Sequence, residues 1–152
     1  MDCINNWQKR EFKKKEFDFA RHILAKEKNA RVYLVGGFVR DLLLGRESKD
    51  VDFVVAGVPK SRLVTILRKH GSVSFVGKNF GVYKFVPKGK RGEDAIDIAL
   101  PRIDLPKGRS GAYRDVQIVT KSSISIEEDL QRRDFTVNAL ACDLRAKKLI
   151  DL

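Results

Sequence analysis

Residues 34–55 read LVGGFVRDLLLGRESKDVDFVV, and the pattern changes character three times within them. The run RVYLV, residues 31–35, is β-branched and aromatic, as a short strand requires, and Gly36 and Gly37 stop it. FVRDLLLG then predicts a short helix closed by Gly45, and VDFVV predicts a buried strand. A strand that turns tightly into a helix and leads on to a second strand brings a glycine turn close to two acids, Asp50 and Asp52. One residue separates the pair, so in an extended chain both side chains leave one face while Val51 and Phe53 leave the other. Two carboxylates converging on one point suit Mg²⁺, which takes few protein ligands and keeps room for water and phosphate oxygens. A D-x-D triplet alone does not decide the matter, because such triplets are common at strand ends, where they are simply solvated.

The surroundings add to it. Backbone N–H groups at a glycine turn that opens a helix can cradle a triphosphate, although a turn with no ligand would use the same residues. Arg40 falls one turn into that helix, in reach of a phosphate or, equally, of Asp41 or Glu47. Downstream, AIDIAL (residues 95–100) predicts a strand whose alternation buries Ile96 and Ile98 and turns Asp97 to the opposite face. Asp97 is thus the candidate third acid, with Glu93 and Asp94 as rivals at the strand entry. EEDLQRRDFTVNALA (residues 127–141) carries Arg132, Arg133, Asp134 and Asn138. These offer guanidinium forks for phosphate, a carboxylate for ribose hydroxyls and an amide for a sugar or base edge. The same stretch could be a helix surface with a Glu128 to Arg132 pair.

Residues 7–28 suit one amphipathic helix, with apolar Phe12, Phe17, Phe19, Ile23 and Leu24 among many charges. Pro59 and Ser61 open a helix around RLVTILRKH, which Gly71 closes, and SVSFV and GVYKFV form a hairpin across GKNF. Residues 103–123 are the least regular, with PKGRSGAYR expected as a mobile loop. Ser125 and Glu128 fit a capping box at a helix start, and ALACDL and KLIDL fit a closing pair of strands. Strands mixed with helices and joined by hairpins point to an α+β fold with a single domain.

Charge and length bound the function. The 152 residues carry a net charge of +11, and between Phe53 and Gly92 there is no acid at all. Lys60, Arg62, Arg68, Lys69, Lys78, Lys84, Lys88, Lys90 and Arg91 all fall in that interval, a composition that favours a polyanionic partner. No apolar run is long enough to span a membrane and the N-terminus is charged, so a soluble, cytoplasmic protein is expected. Cys3 and Cys142 have neither metal-type nor redox-type spacing, and Cys142 is expected simply to pack.

In order and spacing, three segments resemble the head domain of bacterial-type CCA-adding tRNA nucleotidyltransferases and the related bacterial poly(A) polymerases. They are LVGGFVRDLLLGRESKDVDFVV, GKNFGVYKF with its G-x-x-F-G element, and EEDLQRRDFTVNALA, and the resemblance covers residues 31–152. It implies a DNA polymerase beta-like nucleotidyltransferase fold, with a mixed, mostly antiparallel sheet flanked by helices. Residues 1–30 would pack as an added helix on that head. The resemblance further implies transfer of CMP or AMP from CTP or ATP to a tRNA 3′ end with release of pyrophosphate. Asp50 and Asp52 would hold Mg²⁺, with Asp97 as a further catalytic acid. Gly36, Gly37 and Arg40 would face the triphosphate, and Arg133, Asp134 and Asn138 the ribose and its neighbours. Relatives of this kind continue into helical neck, body and tail domains that select the base, so a separately encoded neck and body partner is an expectation. Poly(A) addition and a non-catalytic RNA-binding or assembly module are the alternatives.

Overall fold

The alternating strands assemble into a seven-stranded sheet in the order β3-β4-β5-β2-β1-β8-β9. In the computed structural model, which describes residues 2–76, 81–106 and 116–152, the strands are β1 (Arg31–Val35), β2 (Asp52–Ala56), β3 (Gly71–Val76), β4 (Val82–Pro87), β5 (Ile96–Ala99), β8 (Leu140–Asp143) and β9 (Lys148–Asp151). Every pairing is antiparallel except β2 with β5. A parallel pair needs a long crossover, supplied here by helix α4 (Lys60–His70) followed by the β3–β4 hairpin. The sheet is thus mixed and mostly antiparallel, as the family resemblance implies.

One face of the sheet is covered by helices. Val32 and Leu34 of β1, Phe53 and Val55 of β2, Ile96 and Ile98 of β5 and Leu140 and Cys142 of β8 all join a single buried cluster there. Period-two alternation makes this possible, because every second residue of each strand is apolar. Helices α1 (Asp2–Arg10), α2 (Asp18–Lys26) and α4 supply the other half of the cluster. At its centre Phe53 meets Phe17 at 5.9 Å and Phe19 at 5.4 Å, and Phe19 meets Phe85 at 4.8 Å. Cys142 is buried, as its packing role requires.

The N-terminal segment departs from the single helix expected over residues 7–28. It folds as α1 and α2, separated by a turn and the 3₁₀ turn Lys15–Phe17. At about 100° per residue, a continuous helix would point Trp7 and Phe19 about 120° apart. Breaking the helix lets Trp7 pack on Phe38 at 5.6 Å while Phe19 still reaches Phe53. Burial of both aromatics outweighs the few hydrogen bonds that the break gives up.

The opposite face of the sheet carries a smaller cluster. Tyr33, Val35, Val54, Ala56, Ala139 and Ala141 pack there against Ile126 and Leu130 of α5 (Ile126–Gln131). The expected capping box opens this helix, with Ser125 Oγ accepting from the Glu128 amide and the Glu128 carboxylate accepting from the Ser125 amide. Residues 103–123, expected to be irregular, contain strands β6 (Arg102–Pro106) and β7 (Val116–Thr120), paired antiparallel as a separate two-stranded sheet. The polar, glycine-rich stretch between them dilutes their alternation in the sequence. Lys107–Asp115, which hold most of PKGRSGAYR, and Gly77–Phe80 of the G-x-x-F-G element lie outside the described residues. Among the described residues no helix is long and apolar enough to cross a membrane.

Candidate active site

Strand register builds the site. In the parallel pairing of β2 with β5, Asp52 stands across from Asp97, and in the antiparallel pairing of β4 with β5, Lys84 stands across from Asp97. Because Phe53, Phe85, Ile96 and Ile98 point into the helical core, alternation sends Asp52, Lys84 and Asp97 to the other face. Lys84 Nζ lies 2.5 Å from Asp97 Oδ1. Neighbouring strands run about 4.8 Å apart, so the two carboxylates are held side by side at one level of the sheet.

They line a cleft of about 630 Å³ with Arg102 and Asp104 of β6, and with Arg132, Arg133 and Asp134 just past α5. The Asp52 carboxyl is pushed up to about 6, first by burial and then by the charge of Asp97, with Arg133 opposing both and Asp50 adding to the rise. A buried carboxyl facing a second carboxylate is under-compensated by the protein alone, which is the electrostatic condition that invites a cation. Hard oxygen donors arranged in this way suit Mg²⁺. Among the described residues no cluster of three His, Cys, Asp or Glu side chains is arranged to hold a metal, but Mg²⁺ needs only one or two protein carboxylates.

Asp50 takes a different place from the one its spacing suggests. Strand β2 begins at Asp52, so Asp50 precedes the strand rather than lying within it, and it is exposed. It lines a neighbouring pocket of about 260 Å³ together with Glu93 and Asp94, the two acids that rivalled Asp97 in the sequence. Its charge nonetheless reaches Asp52.

The Gly36–Gly37 turn opens helix α3 (Gly37–Leu43) beside the same carboxylate. Gly36 adopts φ +71°, and a Cβ there would come within 3.2 Å of Arg133 Nη1 and 3.9 Å of Asp52 Oδ2. The backbone conformation therefore favours glycine, and a Cβ would in addition press on the Arg133 guanidinium. Gly36→Ala is expected to cost about 1–3 kcal/mol and to displace the Arg133 guanidinium. Thermal melts and a nucleotide titration would register the two effects separately, and an unchanged melt would contradict the geometry.

Arg40 lies over Gly37. Its Nε and Nη2 both reach Asp41 Oδ1 at 2.8 Å, and its Nη1 donates to Asn138 Oδ1, also at 2.8 Å. The Asp41 pairing left open by the sequence is thus present, but it does not consume the guanidinium, which also ties α3 to the 3₁₀ turn Thr136–Asn138. Two candidate residues far apart in the chain are thereby joined.

The surface pair of Glu128 with Arg132 does not form. Glu128 is turned back to its cap, and Arg132 instead binds Asp129 through Nε at 3.3 Å and Nη2 at 3.1 Å. Asp129 is 1% exposed and also accepts from Arg133 Nη2 at 3.3 Å and from the Arg102 backbone N–H at 3.0 Å. One buried carboxylate thus aims two arginines into the cleft and fastens β6 beside them. The sequence carried a signal for this role, an acid placed three and four residues before two arginines at the end of a helix. It was hidden by the stronger capping-box reading of Glu128.

The Poly A polymerase head domain matches residues 32–152. The chain belongs to that family. Among curated members, the Multifunctional CCA protein of Stenotrophomonas maltophilia strain R551-3 is 38% identical over 121 residues, covering 80% of this chain and 27% of that protein. The Multifunctional CCA protein of Xylella fastidiosa strain M12 is 37% identical over 119 residues, covering 78% and 26%. A Thermotoga maritima CCA-adding enzyme, solved in complex with tRNA, superposes with a TM-score of 0.63 at 31% identity, over 98% of this chain and 32% of that one. A Bacillus stearothermophilus CCA-adding enzyme in complex with CTP gives 0.60 at 34% identity, over 91% and 30%. The chain therefore spans about a quarter to a third of the length of these relatives, and its architecture is the polymerase beta-like nucleotidyltransferase fold of the Poly A polymerase head domain.

Proposed function

We propose that this chain is the catalytic head of a nucleotidyltransferase that transfers CMP or AMP from CTP or ATP to the 3′ end of tRNA, as part or all of CCA addition in the cytoplasm. The observation that carries the reading is the placement of Asp52 beside Asp97, next to Gly36 and the Arg133 guanidinium, in one cleft. In the reaction the RNA 3′-hydroxyl oxygen forms a bond to the α-phosphorus. The bond from that phosphorus to the bridging oxygen breaks, and pyrophosphate leaves with the electron pair.

Asp52 would hold Mg²⁺, joined by Asp50 only on turning in from the strand entry where it lines the neighbouring pocket, and Asp97, across from Asp52, is positioned to accept the proton or the ion nearest the attacking hydroxyl. Bound there, Mg²⁺ would supply Lewis-acid stabilisation of the pentacoordinate phosphorus and lower the cost of deprotonating the hydroxyl. Arg133 and Arg132 enter the cleft as forked donors suited to phosphate oxygens, and Asp129 keeps them from turning away. Gly36 and Gly37 would give the triphosphate close access to the backbone. Asp134 and Asn138 would meet the ribose, with Arg40 fixing the Asn138 amide. A helical neck and body, on the same polypeptide or another, would choose the base and grip the tRNA.

Incorporation of labelled CTP and ATP into tRNAs ending before CCA, at C and at CC tests the proposal, with and without Mg²⁺. Metal-dependent addition of C or A to the matching primer is expected. Long runs of A alone would assign the head to poly(A) addition. Absence of incorporation with candidate neck and body partners present would sink the catalytic reading.

A further inference from the structure

We propose that Lys84 is a resident counter-cation of the catalytic carboxylates, occupying the place at Asp97 that a divalent ion must take over. The inference rests on the metal-dependent reading of the cleft given above. Lys84, Asp97 and Asp52 stand directly across from one another on β4, β5 and β2, so the sheet lays one cation and two carboxylates in a single row. Lys84 is committed to this row, because its chain neighbours Tyr83 and Phe85 are buried in the helical core. Other cations of the basic interval sit on the far side of the sheet, with Lys60, Arg62, Arg68 and Lys69 all on α4. Lys84 therefore differs from a solvated surface lysine in having its ammonium 2.5 Å from a carboxylate oxygen of the site.

Two consequences follow from elementary electrostatics. With no ion bound, the ammonium offsets the mutual repulsion of Asp52 and Asp97 and holds the Asp97 carboxylate in place. A divalent ion approaching the same oxygen meets a positive charge and must displace it. Lys84 is 44% exposed on a flexible stem, so its ammonium can swing outward without breaking the core. A nucleoside triphosphate, with its own negative charge, would give the displaced ammonium a new partner. Lys84 is in this sense a positioning residue that weakens binding of the bare ion and couples its entry to arrival of the nucleotide.

The test is binding of Mn²⁺ alone, followed by the paramagnetic resonance of free Mn²⁺, to the 152-residue protein and its variants. Lys84→Met is expected to bind Mn²⁺ roughly tenfold more tightly than the parent, from removal of one unit charge within a few ångströms of the ion. Lys84→Arg, which keeps the charge, should stay near the parent value, and Asp52→Asn should abolish binding. Lys84→Gln serves if the methionine variant melts before the titration temperature. Equal Mn²⁺ affinity in the parent and Lys84→Met overturns the proposal while leaving the metal reading intact. A Lys84→Met protein that loses CTP affinity with unchanged Mn²⁺ affinity also overturns it, and makes the lysine a phosphate ligand. Absence of any Asp52-dependent Mn²⁺ binding in both proteins overturns the metal reading itself, and the proposal with it.

Discussion

Asp52→Asn is expected to abolish nucleotidyl transfer and, in the absence of metal, to make the protein more stable. The first effect follows from the proposed role of Asp52 as a charged ligand of the ion at the reacting phosphate. Such a loss removes about 4 kcal/mol of transition-state stabilisation, roughly a thousandfold in rate. The second follows from the carboxyl's raised value of about 6, caused by burial and then by Asp97. A carboxyl that ionises less readily in the folded protein than in the unfolded chain favours folding while it is protonated. That contribution is complete below about pH 4 and is lost as pH rises through about 6. At pH 7.5 the ionised group destabilises the fold by about 1–2 kcal/mol once solvent screening of its exposed part is allowed for. The asparagine lacks this penalty. Urea unfolding in a chelator should show the variant ahead at pH 7.5 and the gap closing as pH falls through about 6 toward about 4. A variant less stable than its parent at pH 7.5 would contradict the electrostatic account. Activity of the parent should rise with pH through the same interval, since only the carboxylate form holds the ion. Mg²⁺ should narrow the stability gap by binding the parent alone. Both outcomes together would show Asp52 kept for the proposed function at a cost in stability.

Asp129→Ala is expected to have the largest effect on folding, a loss of about 3–5 kcal/mol. The carboxylate is buried and accepts from two guanidinium groups and a backbone amide. Removing it strands Arg132 and Arg133 in a part-buried setting and leaves the Arg102 amide without its acceptor. A fold stabilised by roughly 10 kcal/mol would give up a large fraction of that. Asp129→Asn preserves shape and one acceptor, so it should recover part of the stability but little of the arginine placement. The signature separating a positioning role from a merely structural one is in the kinetics. Asp129→Asn, assayed well below its melting temperature, should raise KM for the nucleotide more than it lowers kcat. Unchanged nucleotide affinity in a folded Asp129→Asn protein would show that the arginines do not need this anchor.

The strands were legible in the sequence from their own few residues: AIDIAL shows the period of two that burial on one face imposes, whereas RVYLV and VDFVV are apolar runs that the sheet buries on both faces. The capping box at Ser125 and Glu128 was legible for the same reason, being local. What was not legible depends on distant partners. The break between α1 and α2 is set by where Phe38 and Phe53 wait in the core. The strand start at Asp52, which leaves Asp50 outside the ladder, is set by how far β1 and β5 extend alongside. Asp97 could be chosen over Glu93 and Asp94 by alternation, but its register against Asp52 follows from the strand order. The role of Asp129 required knowing that β6 passes close enough to lend its amide.

The parallel pairing of β2 with β5 also bears on the order in which the chain folds. Asp52 and Asp97 meet only after the stretch between them has turned back on itself through α4 and the β3–β4 hairpin. Closing so long a loop is entropically costly until those intervening contacts exist. The two acids are therefore expected to face each other late, when the hydrophobic core that can withstand their repulsion is already in place. By then Lys84 has been delivered beside Asp97 on the neighbouring strand of that hairpin. Such an order would set the scaffold before the charge conflict and spare the folding chain that conflict while it is weakest.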